Sequence, residues 1–259
     1  MSSPVRLEHD RGLAVVTFDS PPLNLFDDAL SAALSEAVDS LERSVPRAVL
    51  FRAEGRVVSG GVDVSVFDAL DSAAAAARLF DELVALATRV ERLPCPTVFA
   101  AHALCLTWAF ELALACDLIV AAQSASFALV ERVIGLTPAM GGTQRLAERA
   151  GSGRARELVM TGRRYDAATL ERWNVVNWVL ADEGFDAAAR GLAAELADGP
   201  TLAHAATKEV IRAYVEGGLE LANQRVGAIA GGLFDTEDLR GGVRSFLEQG
   251  PGKAVFHGR

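Results

Sequence analysis

The longest stretch without Asp, Glu, Lys or Arg limits what this chain can fold into. It runs from Leu93 to Phe110, about 18 residues, and Glu111 ends it. A stretch of this length only just reaches that of a membrane-spanning helix. Pro94, Pro96 and His102 interrupt it, so we expect no membrane span. A buried strand followed by a buried helix explains the stretch better.

Composition narrows the class of protein further. The chain has 259 residues, 51% of them hydrophobic, which suits one large domain with a real core. Disorder would require low hydrophobicity. The formal net charge of −9 repels phosphate backbones, so we expect no nucleic-acid partner. Cys95, Cys105 and Cys116 form no closely spaced pair, and we expect three small buried hydrophobes in a reducing compartment.

The first residues, MSSPVRLEHD, contain no basic segment followed by an apolar one. A secretory signal peptide needs both parts. We therefore expect no signal peptide and a cytoplasmic location.

The first two thirds of the chain alternate between short strands and amphipathic helices. Residues 6–18 are typical of two strands joined by a turn, and from Asp27 apolar residues recur at helical spacing. The pattern then predicts a strand at 48–51, a helix at 72–93, a strand at 97–101, a helix at 108–115 and a strand at 118–121. This order favours an α/β architecture.

Beyond Gly142 the pattern becomes helical almost to Gln249, with one short break at 175–180. Glycine and proline at 199–200 and glycines at 217–218 separate these helices. We therefore predict an α/β core over residues 1–181 and a helical region over residues 182–259.

Several common chemistries lack their motifs. The chain has no H-E-x-x-H, and its four histidines are far apart, so we predict no metal site. It also lacks a G-x-S-x-G elbow, a Walker loop and a G-x-G-x-x-G fingerprint. A nicotinamide dehydrogenase is therefore not expected.

Glu111 is the most unusual residue, because every near neighbour in TWAFELALACD is apolar. A first-turn position on a helix would stabilise its carboxylate, by under about 1 kcal/mol. Desolvation could instead raise its pKa toward neutrality, which suits general acid–base catalysis. Glu131 lies 20 positions later beside Arg132. An exposed ion pair is the simplest interpretation of Glu131 alone.

Two glycine-containing loops could present free backbone N–H groups. The first is Ser59-Gly60-Gly61-Val62-Asp63, where adjacent glycines permit close approach of a ligand. The second, residues 141–145, leads into a helix. The simpler alternatives are a surface turn for the first loop and a turn with a threonine cap for the second.

Taken together, these segments resemble the crotonase superfamily, the enoyl-CoA hydratase/isomerase family. The resemblance rests on the order and spacing of PPLN at 21–24, VSGGVD at 58–63, ELALACDLIVAAQSASFALVE at 111–131 and GLTPAMGGTQRL at 135–146. LVMTGRRYDA and the late TED at 236–238 extend it over almost the whole chain. It implies a crotonase-type spiral of β-β-α units whose helical C-terminal region makes trimers, often stacked as hexamers.

The resemblance also implies a site for acyl-coenzyme A thioesters, with no cofactor beyond the coenzyme A of the substrate. The backbone N–H groups of Val62 and Trp108 would form the oxyanion hole. Glu111 and Glu131 would hold the water that adds to an enoyl-CoA. Coenzyme A would lie along Ser59, Gly60, Gly61, Val62 and Asp63. Cations for its phosphates would come from Arg52, Arg56 or Lys253, and Phe256 of a neighbouring subunit would touch the nucleotide.

The chain departs from the family pattern around the oxyanion hole. Thr107-Trp108-Ala109 replaces the usual glycine run, and Val130 stands where proline is common. The carboxyl pair favours an enoyl-CoA hydratase. An isomerase or another acyl-CoA lyase or hydrolase is the alternative, because the pocket shape is altered. A third possibility is an acyl-CoA-binding protein with weak catalysis.

Overall fold

The computed structural model describes residues 3–259. Within this range nine strands form: β1 Val5–Asp10, β2 Leu13–Phe18, β3 Ala48–Ala53, β4 Thr97–Ala101, β5 Leu104–Leu106, β6 Leu118–Ala122, β7 Ser126–Ala128, β8 Tyr165–Asp166 and β9 Trp178–Leu180. Nine α-helices accompany them: α1 Asp28–Arg43, α2 Ser65–Asp68, α3 Ala73–Glu91, α4 Trp108–Ala115, α5 Gly142–Thr161, α6 Ala167–Arg172, α7 Phe185–Asp198, α8 Thr201–Gly232 and α9 Glu237–Gln249. Two short 3-10 helices cover Glu131–Ile134 and Leu233–Asp235.

The strands form two sheets. The larger has the order β1-β2-β3-β4-β6-β9, in which only the β1–β2 pair is antiparallel. The smaller has the order β5-β7-β8. Parallel strands are covered on both faces and therefore consist of nearly continuous apolar residues. The strands β2 and β4 are buried at every position, as this rule requires.

Aromatic side chains on neighbouring strands form the centre of the core. Phe18 stacks on Phe51 with 6.5 Å between ring centroids and lies 6.4 Å from Phe99. These three phenylalanines come from β2, β3 and β4, so their contacts lock the central strands together. Cys95, Cys105 and Cys116 are buried free thiols, which confirms their predicted role as small hydrophobes.

Local sequence signals account for the helix starts. Asp27 caps α1 by accepting the N–H of Leu30, and Ser72 caps α3 by accepting the N–H of Ala75.

The helix α8 is interrupted at Gly217 and Gly218, where the backbone is not helical. None of the helices in the part of the chain that the structure describes is long and apolar enough to cross a membrane.

The structure differs from the sequence expectation in the short elements. The strands β5, β7 and β8 and the one-turn helix α2 are too short to give a periodic pattern. The helix α7 lies in the region predicted to be separate, yet it packs on β2, β3 and β4 and buries Phe185 and Ala189. The boundary at residue 181 stays a prediction.

Candidate active site

Glu111 lies in α4, a helix in which all eight residues are buried. Its residue exposure is 3%. One carboxylate oxygen, Oε2, accepts the N–H of Met140 at 2.8 Å and the N–H of Gly142 at 2.7 Å. Glu111 is therefore fixed by the turn that leads into α5.

The turn that holds Glu111 leaves no room for a side chain at Gly142. A Cβ atom there would lie 2.5 Å from Glu111 Cγ, closer than van der Waals contact allows. Gly141, the N-cap residue just before α5, has a φ of +95° and provides no side-chain cap. The threonine-cap interpretation of this loop is therefore wrong, because Thr143 lies inside the helix.

Arg145 holds the same turn from the opposite side. Its guanidinium donates to the carbonyls of Met140 and Gly141, each at 3.3 Å. It also binds Glu91 at 2.6 Å and the hydroxyl of Thr88 at 3.2 Å. The helix α3 is thereby tied to the turn that donates to Glu111.

Glu131 begins the short 3-10 helix after β7. Both of its carboxylate oxygens are buried, and neither has a hydrogen-bond partner among residues 3–259. Arg132 points elsewhere and donates to the carbonyl of Thr161 at 3.1 Å. The exposed ion pair that Glu131 alone suggested is therefore wrong, because the strand end turns this side chain inward.

Both carboxyl groups have raised pKa values. Burial raises the pKa of Glu111 to about 7, although the N–H groups of Gly142 and Met140 and the charge of Arg145 act in the opposite direction. Burial and, to a lesser extent, the charge of nearby Glu111 together raise the pKa of Glu131 to about 7. Groups that titrate near neutrality can act as acids or bases at physiological pH.

The N–H of Val62 is left free in the loop 59–63. Ser59 donates to Leu104 O, Gly60 to Leu23 O and Asp63 to Phe26 O, while Gly61 donates to the hydroxyl of Ser59. The N–H of Val62 alone has no partner among the described residues. Gly61 turns the chain at this point with a φ of +116°.

The N–H of Trp108 also has no partner among residues 3–259, because Trp108 is the first residue of α4. The unusual backbone belongs to Thr107, whose φ is +49°, and not to Trp108. A β-branched residue rarely adopts such a φ. Thr107 Oγ1 would lie 3.5 Å from a Cβ atom at Gly61, so the two loops with free N–H groups are neighbours.

One small cavity joins these groups. Its volume is about 40 Å³. Its walls contain Glu111, Glu131, Val62 and Trp108. The remaining lining residues are Phe26, Asp28, Ser31, Val66, Phe67, Leu79, Phe80, Leu83, Leu136, Ala139 and Met140. The four residues expected to carry the chemistry therefore meet at one place.

The residues predicted to bind coenzyme A divide into two groups. The loop 59–63 adjoins the cavity, and Asp63 accepts the N–H of Ser65 at 3.0 Å. The carbonyl of Phe256 binds Arg47, just before β3 begins, whereas the loop follows the end of β3. Phe256 is thus far from the loop of its own chain. A role for it and for nearby Lys253 requires a neighbouring subunit.

The two arginine candidates also differ. Arg52 is paired with Glu54 at 2.6 Å and with Asp186 at 2.9 Å, so it is not available as a free cation. Arg56 is exposed in the loop after β3. Arg56 is therefore the better candidate for a phosphate contact.

Sequence reasoning missed two supporting residues. Arg145 was noted only as part of a loop, although it is 8% exposed and makes five hydrogen bonds. Asn24 accepts the N–H of Ser20 and donates to three carbonyls of residues 54–58. Only their contacts identify them, since neither residue is unusual in type or spacing in the sequence.

Comparisons with known proteins agree with this geometry. The family model for enoyl-CoA hydratase/isomerase matches residues 8–259. A Bacillus subtilis protein named "Probable enoyl-CoA hydratase" is 30% identical over 251 residues, covering 95% of this chain and 96% of that protein. The carnitinyl-CoA dehydratase of Salmonella typhimurium is 33% identical over 257 residues, covering 96% and 97%.

A solved structure gives the same result for the fold. The enoyl-CoA hydratase of Bacillus anthracis superimposes with a TM-score of 0.91 at 25% identity, covering 99% of this chain and all of that one. The chain belongs to the enoyl-CoA hydratase/isomerase family. Its fold is that of the crotonase superfamily, as the sequence resemblance implied.

Proposed function

We propose that this protein is an enoyl-CoA hydratase, which adds water across the 2,3 double bond of an enoyl-CoA thioester. The observation that supports it most strongly is the pair of buried carboxyl groups on one cavity, each with a pKa near 7. Hydration needs a group that activates water and a group that supplies a proton. No further cofactor is required, because coenzyme A is part of the substrate.

The surroundings of the two carboxyl groups favour different protonation states. Glu111 accepts two backbone N–H groups, which stabilise a carboxylate. Glu131 has no such partner among the described residues, and therefore its neutral form is favoured. We assign Glu111 as the base that holds and activates the water, and Glu131 as the acid.

The reaction then balances without another reactant. Glu111 accepts a proton from water as the hydroxyl oxygen bonds to the β-carbon. The electrons of the double bond move toward the thioester, and Glu131 delivers its proton to the α-carbon. The free N–H groups of Val62 and Trp108 would stabilise the negative charge on the thioester oxygen. One well-placed donor of this kind contributes roughly 3 to 4 kcal/mol.

Loss of the conjugated enoyl absorbance of crotonyl-CoA tests the proposal. Glu111→Gln and Glu131→Gln should each lower kcat by at least about a hundredfold, while the thioester still binds. Glu36→Gln, at an exposed position of α1, is the matched control and should retain full activity. Full activity in both active-site variants would refute the proposal, and binding without turnover by the wild type would favour the acyl-CoA-binding alternative.

The same site can also catalyse the reverse reaction, the removal of water. A dehydratase such as the Salmonella relative removes water, and the same acid and base would serve both directions. Isomerases need only one carboxyl group, usually at the Glu131 position. The buried and hydrogen-bonded Glu111 favours hydration or dehydration over isomerisation.

We also propose that the protein is a homotrimer or a hexamer. Exposed apolar residues are concentrated on α8 and α9, where Ile211 is 54% exposed, Leu219 67% and Leu247 79%. A patch of this kind is typical of a surface covered by another subunit. A neighbouring subunit would then bring Lys253 and Phe256 to the coenzyme A of the next site.

A further inference from the structure

The side chain of Trp108 forms a fixed wall of the small cavity. Its residue exposure is 2%. The indole lies 5.0 Å from the ring of Phe18 and 5.5 Å from that of Phe26. Its Nε1 donates to the carbonyl of Asn24 at 3.2 Å. With contacts on two sides and a hydrogen bond, the ring cannot turn away without disrupting β2 or the segment before α1.

Other parts of the wall are held less firmly. Phe67 and Phe80 contact each other at 6.3 Å, and both are only partly buried. Phe67 belongs to α2, a single turn without any buried residue. Trp108 is therefore the more firmly fixed part of the wall.

The space beside Trp108 suits only a short chain. The cavity beside Trp108 is small, with a volume of about 40 Å³. An enoyl group of four carbons places three carbons beyond the thioester carbonyl. A longer acyl chain that runs along this wall meets the indole, which is fixed on two sides.

We propose that the indole of Trp108 sets the length of the acyl chain and restricts the enzyme to enoyl groups of about four carbons. This inference rests on the proposed hydratase function. The backbone N–H of residue 108 survives any substitution except proline. The oxyanion hole and the chain-length limit can therefore be separated by changing the side chain alone.

The test compares hydration of four-carbon and eight-carbon enoyl-CoA by the wild type and Trp108→Leu. In the wild type, kcat/KM should fall by more than about tenfold from four to eight carbons, since one methylene in a pocket changes specificity by about 10- to 200-fold. In Trp108→Leu, the ratio of eight-carbon to four-carbon kcat/KM should rise by at least about tenfold. Trp108→Phe should raise the same ratio by a smaller factor. This variant replaces Trp108→Leu in the test if the leucine variant does not fold.

Phe110→Leu is the matched control. Phe110 lies on the same helix and packs on Phe127 at 5.1 Å, but it does not line the cavity. In Phe110→Leu the ratio of eight-carbon to four-carbon kcat/KM should stay within about twofold of the wild-type ratio, although the core is less tightly packed. An unchanged ratio in both Trp108 variants, or a wild-type preference for eight carbons, would overturn the inference. Absence of hydration at every chain length would instead refute the hydratase function on which it rests.

Discussion

Glu131 keeps both carboxylate oxygens buried beside a second carboxyl group, and this arrangement is costly for folding. Burial and the Glu111 charge raise its pKa from the ordinary 4.5 to about 7. The folded protein therefore binds a proton more tightly than the unfolded chain does. The cost is absent below about pH 4.5 and grows as pH rises toward 7, because the folded state must then either keep the proton or bury a charge.

Removing this carboxyl group should stabilise the protein at alkaline pH. Glu131→Gln should leave the free energy of unfolding almost unchanged at pH 4.5 and raise it at pH 8, by about 3 kcal/mol at most. Urea unfolding at several pH values measures the difference. Glu36→Gln should give no such pH trend. A difference that is the same at both pH values would show that Glu131 titrates normally in the folded protein.

At the scale of elements, the turn 140–142 connects three helices. Two of its N–H groups bind Glu111 of α4, and two of its carbonyls bind Arg145 of α5. Arg145 in turn binds Glu91 of α3. The charged groups around Glu111 include Arg145, Glu131 from the 3-10 helix and Asp28 of α1, which lines the same cavity. The position and the pKa of Glu111 therefore depend on contacts outside α4.

Arg145 should act as a positioning residue. Arg145→Gln removes a cation that lowers the pKa of Glu111 and weakens the turn that donates to it. We expect kcat to fall by about tenfold or more, and the acidic limb of the kcat/KM profile to move to higher pH. The control Arg156→Gln changes an exposed arginine of the same helix and should leave the profile unchanged.

A purely structural role for Arg145 would appear differently. It would lower the melting temperature of Arg145→Gln without moving the pH profile. Recovery of the wild-type profile by Arg145→Lys would support the electrostatic part of the role, since lysine restores the charge without the planar hydrogen-bonding fork.

At the scale of the whole molecule, the C-terminal tail is fixed away from the cavity. Buried Asp238 accepts the N–H groups of His257 at 2.6 Å and Gly258 at 2.7 Å. Arg47 binds the carbonyl of Phe256 at 2.7 Å. The tail therefore stays at the end of the sheet where β3 begins, beside the exposed apolar residues of α8 and α9. In the proposed oligomer, this arrangement would present Lys253 and Phe256 to a neighbouring subunit.

A charge within the apolar surface should disrupt assembly. Leu247→Glu places a carboxylate where the side chain is 79% exposed in the single chain, and burying that charge between subunits is costly. We expect the light-scattering mass to shift from the trimer toward the monomer and KM to rise more than kcat falls. Gln249→Glu adds the same charge at a polar position of the same helix and should remain assembled. Unchanged mass in Leu247→Glu would place the interface elsewhere.

The longer elements could be predicted because their patterns are local. Alternation, helical spacing and the capping residues Asp27 and Ser72 mark α1, α3 and the central strands. The resemblance also predicted that Glu111, Glu131, Val62 and Trp108 share one site, and these four residues do line one cavity. The short strands β5 and β7 were missed, because three residues give no period and their pairing is with distant segments.

The amino-acid sequence by itself determined the α/β order, the buried thiols and an acid in an apolar helix, since these follow from hydrophobicity and spacing along the chain. Only the tertiary structure decided that Glu131 turns inward, that Arg52 is already paired and that Arg145 holds the turn beside Glu111. It also decided that Thr107, and not Trp108, takes the positive φ. These properties depend on groups that are far apart in the chain, and burial, charge pairing and backbone strain arise only when folding brings such groups together.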